Sequence, residues 1–305
     1  MQNFKDFLFI LFQKSLSRSL QQGLSRLVGK LTESRVPWLK NLLIRLAIKK
    51  FKIDLQEALL ENPEDYKNFN DFFTRKLKPN ARSFPTSDQN NLIISPADGV
   101  ISQQGVIQSG RIFQAKQHFF TLSELIADGT HAGNKNYYHG YFYTIYLSPK
   151  DYHRVHMPCH GRLTHYTHIP GDLFSVNQTT ADHIPNLFAR NERVCFFFEP
   201  DGIHTHTPFI LIMVGALLVA SIGISFEATP KIITPPTSKI IQTYTLETPK
   251  LIKQSEELGF FQFGSTVILL FPENAISTGS ESEDVNFNNQ IILGQTLGRY
   301  KKFEK

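Results

Sequence analysis

Residues 261–271 read FQFGSTVILLF, an apolar run that is interrupted once by a Gly-Ser-Thr step. The run has the composition of a buried β-strand. A glycine inside a strand weakens it and often marks a bulge or a close approach of two backbones. Because Ser265 directly follows Gly264, the residues permit two interpretations. The strand is either structural with a bulge, or it carries a serine nucleophile, which requires a base and a group that orients the base.

The composition is that of a globular protein with room for a large core. The chain has 305 residues, of which 41% are hydrophobic and 19% charged, which is typical of folded domains. Its two cysteines, Cys159 and Cys195, make no disulfide framework and fit a reducing compartment. No CxxC or HExxH spacing is present, and the His204-Thr205-His206 step offers two metal ligands without an evident third. The sequence therefore predicts no metal site.

The positive charge of the chain is concentrated at its N-terminus. Residues 1–50 hold ten Lys or Arg and two acids, a net charge of +8, which against the total of +5 leaves −3 for residues 51–305. An acidic body is not expected to bind nucleic acid, whereas a basic N-terminal segment indicates an anionic surface as its partner.

The basic segment has the pattern of an amphipathic helix. From Phe4 to Leu31 apolar side chains recur at helical spacing, with Lys, Arg, Ser and Gln between them. Its only continuous apolar run, residues 7–12, is too short to span a bilayer. Two interpretations remain: a helix that lies in the membrane interface, which we favour, or a helix that packs on its own domain. A second helical stretch is expected over residues 36–60.

Short β-prone runs separated by Gly, Pro and Asp turns follow from Leu92 onward. Helices followed by strands predict an α+β fold, with N-terminal amphipathic helices before a β-rich, mainly antiparallel catalytic domain. We place the boundary between a helical, membrane-associating region, 1–65, and the β-rich domain, 66–305.

Residues 209–226 form an uncharged run of 18 residues, which is long enough to be a candidate membrane span. The flanks of the run lack the basic or aromatic anchors of a span. Two buried strands joined by a tight bend are therefore favoured.

Three segments carry residues that suit acid–base chemistry. Asp98 stands in a Pro-Ala-Asp-Gly turn, where most aspartates only cap the turn. His153 and His156 lie in one YHRVHMP segment, and either imidazole can titrate near neutral pH. Together with Ser265, an aspartate and a histidine permit an acid–base–nucleophile triad, as many sequences would.

Seven short motifs, taken in order, resemble the phosphatidylserine decarboxylase family. They are FFTRKLKP (72–79), PADG (96–99), YHRVHMP (152–158), GDLFSVN (171–177), LFARNER (187–193), VGA (214–216) and FGSTV (263–267). Several ordered motifs are more specific than any single one. The chain departs from the family at a few positions; for example, Ser255 stands where a glycine is common.

The resemblance implies a proenzyme that cleaves itself. Asp98 would orient His156, and His156 would take the proton of Ser265, whose oxygen attacks the carbonyl of Gly264. Cleavage would leave a β chain, 1–264, and an α chain, 265–305, whose N-terminal Ser265 becomes a pyruvoyl group. A small Gly264 would allow the attacking oxygen to approach the backbone closely.

The resemblance also implies the reaction of the mature enzyme. As a carboxy-lyase it would convert phosphatidylserine to phosphatidylethanolamine and carbon dioxide, with the pyruvoyl group from Ser265 as its covalent cofactor and Schiff-base partner. His153 or His156 would return a proton to the product, and Arg75 or Lys78 would hold the lipid phosphate. The enzyme would lie peripherally on the cytoplasmic side of the cell membrane, drawn to anionic lipid. Its α and β chains would form a heterodimer, and two heterodimers would pair.

Two alternatives remain beside this resemblance. The first is an uncleaved serine hydrolase or lipase that uses Asp98, His156 and Ser265, although the chain lacks the G-x-S-x-G elbow of such enzymes. The second is an integral membrane protein held by residues 209–226, which needs no chemistry at Ser265.

Overall fold

The structure is a computed structural model of the 305-residue chain, and it describes residues 2–85, 91–127, 135–217, 221–227, 231–233, 240–262, 264–277 and 289–301. Phe263 and residues 218–220, which belong to the predicted strand segments, lie outside the described residues. The described helices are α1 (Gln2–Ser15), α2 (Arg18–Thr32), α3 (Pro37–Phe51), α4 (Phe69–Phe73), α5 (Leu122–Ile126), α6 (Gln178–Ala181) and α7 (Leu187–Arg190). The described strands are β1 (Leu92–Ile94), β2 (Gly99–Val106), β3 (Arg111–Ala115), β4 (His118–Thr121), β5 (Tyr141–Leu147), β6 (Arg154–His156), β7 (Gly161–Ile169), β8 (Arg193–Glu199), β9 (Phe209–Val214), β10 (Ile222–Ile224), β11 (Lys231–Ile233), β12 (Gln242–Ile252), β13 (Glu257–Phe261), β14 (Ser265–Phe271), β15 (Ile276–Ser277), β16 (Gln290–Ile291) and β17 (Thr296–Tyr300).

The predicted N-terminal helix is divided into α1 and α2. The hydroxyl of Ser17 accepts the backbone N–H of Leu20 and caps α2, and serine is a favoured residue at this position. α3 begins at Pro37, which suits the first turn of a helix because no N–H is needed there. The second predicted helix is therefore right at its start and too long at its end, since α3 ends at Phe51.

A small core joins α3 to α4 across residue 65. Its members are Ile44, Ala47, Ile53, Tyr66, Phe69, Phe72 and Phe73. The boundary between residues 65 and 66 stays a prediction, but the packing ties the third helix to the first residues of the β-rich part.

The strands form one large and one small antiparallel sheet. The large sheet has the strand order β12-β7-β8-β9-β14-β5-β2-β16, and the small sheet has the order β11-β10-β13-β6. The described strands also form a β1-β17-β15 sheet and a β3-β4 hairpin. Every pairing between these named strands is antiparallel. The predicted α+β, mainly antiparallel fold is confirmed.

Three adjacent strands of the large sheet are continuous with three adjacent strands of the small sheet. The orders β9-β14-β5 and β10-β13-β6 match strand for strand, because the chain runs from β9 to β10, from β13 to β14 and from β5 to β6. Residues 148–153, 215–217, 221, 262 and 264 therefore lie between the sheets, and we call these described residues the inter-sheet crossing. The backbone N–H of Phe261 donates to the carbonyl of His153 at 2.9 Å, and that of Gln262 donates to Ser221 at 3.3 Å.

The central strands of the large sheet, β9 and β14, are buried on both faces. Along β14, Val267 and Leu269 belong to one core cluster, and the alternating Ile268 and Leu270 belong to the other. Strands covered on both sides read as continuous apolar runs, which is why residues 267–271 lack the usual alternation. The predicted buried strand is confirmed. The Gly-Ser step is not a bulge, since β13 ends at Phe261 and β14 begins at Ser265 in the other sheet.

Residues 209–226 contain two buried strands, β9 and β10, as the favoured interpretation predicts. The strands do not pair with each other, because β9 lies in the large sheet and β10 in the small one. Among the described residues, no helix is both long and apolar enough to cross a membrane.

Candidate active site

Ser265 is the first residue of β14 and pairs with Leu147 of β5. Its side chain is fully buried, and no hydrogen-bond partner for its Oγ is found in the described chain. A buried polar atom without a partner costs about 1–3 kcal/mol. Packing alone therefore does not account for a serine at this position.

Further buried polar atoms without a partner lie in or beside the inter-sheet crossing. They are His153 Nε2, Gln262 Oε1 and Thr266 Oγ1. Orphan polar groups of this kind are rare in folded proteins and are often explained by a reaction or a ligand. With Ser265 Oγ, four of the eleven such atoms among the described residues lie in or beside the crossing, which makes it a candidate region for chemistry.

His156 ends β6 and is held at both ring nitrogens. Its Nδ1 lies 2.8 Å from the carbonyl oxygen of Ser255, and its Nε2 lies 3.1 Å from the hydroxyl of Tyr152. Because a carbonyl only accepts, Nδ1 carries the ring proton and Nε2 accepts from Tyr152. Ser255 presents its carbonyl from a left-handed backbone conformation, with φ at 68°. This conformation favours glycine, the residue that the resemblance led us to expect there.

The surroundings of His156 keep its imidazole neutral at pH 7. Burial lowers the pKa of His156 below its ordinary value of 6.5, and the charge of Arg154 lowers it further. The hydrogen bond to the Ser255 carbonyl and the charges of Glu257 and Asp98 raise the pKa in the opposite direction, but burial outweighs them. A neutral imidazole is the form that a general base requires.

Asp98 forms a buried, forked ion pair with Arg82. Arg82 Nη2 lies 2.5 Å from Asp98 Oδ2, Arg82 Nε lies 3.2 Å from Oδ1, and the backbone N–H of Leu293 also donates to Oδ1 at 2.8 Å. The Pro-Ala-Asp-Gly turn that carries Asp98 is bound to β6 by a backbone hydrogen bond, in which the N–H of His156 donates to the carbonyl of Pro96 at 2.8 Å.

The three predicted triad residues thus stand in or around one buried region without hydrogen bonds between their side chains. In the described chain, Asp98 is bound to Arg82 and Leu293, and His156 to Tyr152 and Ser255. Asp98 acts on His156 through its charge. Their catalytic roles stay predictions.

His153 is fully buried in the inter-sheet crossing. Its ring centroid lies 4.1 Å from that of Phe73, and its Nδ1 lies 2.8 Å from the carbonyl oxygen of Asp151. Burial lowers the pKa of His153 to about 3. The imidazole is therefore neutral, with its proton on Nδ1 and an uncommitted lone pair on Nε2.

Arg75 and Lys78 have different surroundings. The buried Arg75 donates from Nη2 to the carbonyls of Lys150 and Asp151, at 2.9 and 3.3 Å. The Asp151 carbonyl also binds His153, so Arg75 fixes the segment that carries this histidine. Lys78 is exposed and pairs with Glu61 at 2.5 Å.

A polar cavity of about 170 Å³ separates the helical region from this part of the protein. Arg75, Arg82, Asp98 and Tyr152 all line it, whereas Lys78 does not. The Nη1 of Arg75 is buried without a partner among the described residues. Of the two basic residues predicted to hold a phosphate, only Arg75 therefore stands beside the site.

Gly264 is not crowded. A Cβ built on this residue would meet nothing among the described atoms closer than the carbonyl oxygen of Leu147, at 3.8 Å. The expectation that a small residue is needed here for close backbone approach thus has no support from the packing.

Three contacts of the site were not predicted from the sequence. They are the Arg82 partner of Asp98, the Tyr152 hydroxyl on His156 and the Ser255 carbonyl on His156. In the sequence, Arg82 is only a basic residue after a turn and Tyr152 only the first residue of the YHRVHMP motif, so neither contact was predicted. The one usable signal was Ser255 at a position where glycine is common.

Comparisons with known proteins point to one family. A family model described as phosphatidylserine decarboxylase matches residues 69–299, and a second, described as PSD, matches residues 21–52. The phosphatidylserine decarboxylase proenzyme of Idiomarina loihiensis is 43% identical over 96% of each chain. The protein of the same name from Alcanivorax borkumensis is 45% identical over 99% of each chain, and that from Shewanella putrefaciens is 47% identical over 88% of this chain and 92% of its own.

The fold and the site define an α+β protein with a buried serine near neutral histidines, where strands pass from one antiparallel sheet to another. Together with the comparisons, they identify its relatives: the chain belongs to the phosphatidylserine decarboxylase family.

Replacing Arg82 with methionine should destabilise the protein because Asp98 would stay buried without a counter-charge. We expect a loss of about 3–5 kcal/mol in the free energy of unfolding, measured by urea denaturation. Lys78→Met is the matched control: its partner Glu61 is exposed, so the loss should be about 1 kcal/mol or less. Equal losses in the two variants would contradict a structural role for the Arg82–Asp98 pair.

Proposed function

We propose that this chain is a phosphatidylserine decarboxylase proenzyme, which cleaves itself between Gly264 and Ser265 and then converts phosphatidylserine to phosphatidylethanolamine and carbon dioxide. The observation that carries the proposal is the fully buried Ser265 Oγ, which has no described partner and directly follows Gly264 at the inter-sheet crossing. An uncleaved hydrolase would have to expose such a nucleophile to an external substrate. Buried as it is, Ser265 is better placed to attack its own chain.

Self-cleavage begins with the Ser265 hydroxyl. Its proton passes to His156 Nε2 while Oγ attacks the carbonyl carbon of Gly264, and the peptide nitrogen leaves as the amine of Ser265, which produces an ester. Because the Tyr152 hydroxyl occupies Nε2, it stands on the path of this proton. The charge of Asp98 stabilises the protonated imidazole, in line with its effect on the pKa of His156.

Elimination then breaks the chain. Loss of the α-proton of Ser265 expels Gly264 as a carboxylate and leaves a dehydroalanine, and water replaces its nitrogen, which departs as ammonia. The residue that was Ser265 ends as a pyruvoyl group. Of the unpartnered atoms at the crossing, only the Thr266 hydroxyl can donate to a carbonyl oxygen of such a group, whereas His153 Nε2 and Gln262 Oε1 are acceptors that suit the protonated amine of the lipid.

The pyruvoyl ketone supplies an electrophile for the serine amine of the lipid and an electron sink for decarboxylation. The chain contributes the surroundings. We assign the handling of the product proton to Nε2 of His153, because this atom is uncommitted and lies in the crossing. Arg75 holds the segment of His153 in place, and its free Nη1 faces the cavity side as a candidate partner for the lipid phosphate.

The two products of cleavage should stay together as a heterodimer. Residues 265–305 supply β14, which lies between β5 and β9 in the large sheet. They also supply β16, paired with β2, and β17, paired with β1. Backbone ladders therefore hold the α chain to the β chain after the covalent link is lost.

We further propose that α1, α2 and α3 dock on anionic lipid from the cytoplasmic side. Helices α1 and α2 bury several polar side chains and expose apolar ones, and α3 also exposes apolar side chains while its Ile44 and Ala47 join the small core. The buried polar residues are Gln13, Gln21, Ser25 and Thr32. The exposed apolar residues, which we call the docking face, are Leu11, Phe12, Leu20, Leu27, Leu31, Val36, Trp38, Leu42 and Leu46.

The inward glutamines attach the helices to the body. Gln21 Oε1 accepts the backbone N–H of Leu173 at 2.7 Å, and Gln13 Oε1 accepts that of Ser175 at 3.1 Å. Because the buried glutamines hold the helices to the body, the apolar docking face remains available for another partner. A basic helical region with an apolar outer face suits the membrane interface.

Ser265→Ala should abolish self-cleavage because the attacking oxygen is lost. Denaturing mass spectrometry of the natural sequence should give two fragments joined at Gly264/Ser265, with the smaller one blocked at its N-terminus by pyruvoyl. The variant should give one intact chain without decarboxylase activity. Thr266→Ala is the matched control, since it removes a neighbouring hydroxyl and should still be cleaved. Cleavage of the Ser265→Ala variant, or a natural chain that stays intact, would contradict the proposal.

The pH dependence of self-cleavage should report the lowered pKa of His156. Because the neutral form is the base, the rate should fall as the pH is lowered, with a midpoint below 6.5, the ordinary pKa of histidine. Glu257→Gln removes a charge that raises this pKa, so it should move the decline to still lower pH. Glu256→Gln, at the exposed neighbouring residue, is the control and should leave the profile unchanged. The measurement is the precursor fraction over time during cell-free synthesis at each pH.

A midpoint of the decline in cleavage rate above pH 6.5, or a midpoint that Glu257→Gln moves upward, would exclude His156 as the base.

Removing apolar side chains from the docking face should weaken membrane binding. We expect the Leu20→Ser, Leu27→Ser, Leu31→Ser triple variant to lose at least about tenfold in partitioning to vesicles of phosphatidylserine and phosphatidylcholine, because a few buried leucines contribute more than 1.4 kcal/mol. The control changes three exposed apolar residues outside the helices, Val106, Ile232 and Leu251, to serine. Equal binding by the two triple variants would show that the docking face is not the contact.

A further inference from the structure

A compact group of metal-binding side chains lies outside the active site. His160 directly precedes β7, and Asp201 and His204 belong to the turn between β8 and β9. β7 pairs with β8, so the start of one strand is brought beside the turn that follows the other. The three residues each offer a ligand atom, and these atoms lie within 4.8 Å of one another.

The carboxylate of Asp201 is fixed by the turn that it organises. Its Oδ1 accepts the backbone N–H groups of Ile203, His204 and Thr205, at 3.1, 2.8 and 2.8 Å. Donors aimed at an oxygen of this kind favour the ionised carboxylate. The second oxygen, Oδ2, is left free to face the histidine.

His204 is oriented by that second oxygen. Its Nδ1 lies 2.5 Å from Asp201 Oδ2, so Nδ1 carries the proton and the lone pair of the neutral ring is on Nε2. A metal ion that displaces this shared proton would take Nδ1 of His204 and Oδ2 of Asp201 as ligands, because metal binding releases the protons of its ligands.

His160 stacks on His204 and completes the group. The ring centroids are 4.1 Å apart, with an angle of 23° between the planes. In the described chain, neither ring nitrogen of His160 has a hydrogen-bond partner. Both histidines are half-buried, so an ion from solvent can reach them.

We propose that His160, His204 and Asp201 bind a divalent transition-metal ion of the zinc class. Two imidazoles and a carboxylate are ligands that zinc prefers, and water would complete its coordination. Ligand atoms on one tetrahedral zinc ion stand about 3.4 Å apart, which small side-chain rotations reach from the observed spacing. Calcium and magnesium are disfavoured because they select oxygen ligands.

The proposed site differs from the pair of histidines that the sequence offered as metal ligands. The step His204-Thr205-His206 offered two histidines, but the group found among the described residues contains His204 without His206. Cys159, next to His160, is not a ligand, because its buried Sγ is turned to the hydroxyl of Tyr300 at 3.3 Å. A bound ion would clamp the β8–β9 turn to the start of β7.

The test is a zinc titration of the untagged, full-length protein after removal of metals by a chelator. We expect one Zn²⁺ per chain, measured by competition with a chromophoric chelator, and a rise in the melting temperature with added zinc. His160→Gln and His204→Gln should each lower the affinity at least about tenfold and abolish that rise. His183→Gln, at an exposed histidine in another part of the chain, is the control and should bind as the natural protein does.

One outcome needs no variant. If the natural protein shows no saturable one-to-one binding at about 100 µM free Zn²⁺, the proposed site is wrong. Binding that persists in both His160→Gln and His204→Gln, with melting temperatures close to the natural value in the absence of metal, would also overturn it. The result does not depend on self-cleavage or on decarboxylase activity.

Discussion

The pairing of β5 with β14 and of β6 with β13 is the constraint on which the site depends. Because these two pairs lie in different sheets, residues 148–153 and the described residues Gln262 and Gly264 lie between the same two pairs of strands. The hydrogen bond from Phe261 N–H to the His153 carbonyl, at 2.9 Å, holds them together. The position of Ser265 relative to the histidine segment is thus fixed by backbone ladders, whose geometry does not depend on the side chains that react.

Burial gives the residues at this crossing their chemical character. Exclusion of water by burial lowers the pKa values of His153 and His156, which keeps both rings neutral. The same exclusion makes the unpartnered Ser265 hydroxyl costly. The charge of Asp98 is compensated by Arg82, so the site combines a neutral base with a balanced ion pair. The large apolar core offsets the cost of these buried polar groups.

The first two N-terminal helices differ from the sheets in which side chains they bury: polar side chains lie on the inside and apolar ones on the outside. On α1 and α2 the inner side attaches through glutamines to backbone N–H groups and the outer side is apolar, whereas α3 packs Ile44 and Ala47 into the small core. A helix that obtained its stability from the core of its own domain would show the reverse arrangement. The proposed docking on lipid and the buried active site therefore use different forces: the first needs an external apolar phase, and the second needs the exclusion of water.

The sequence by itself determined the parts that depend on neighbouring residues. The apolar run after Ser265 predicted a buried strand, serine at position 17 accounts for the break between α1 and α2, and the ordered motifs indicated the family. Only the tertiary structure decided which groups meet. Arg82 reaches Asp98 across 16 residues, and the Ser255 carbonyl reaches His156 across 99; His160 likewise joins His204 only because β7 lies beside β8. The physical reason is that strand pairing sets these contacts, and periodicity along the chain contains no information on which strands will pair.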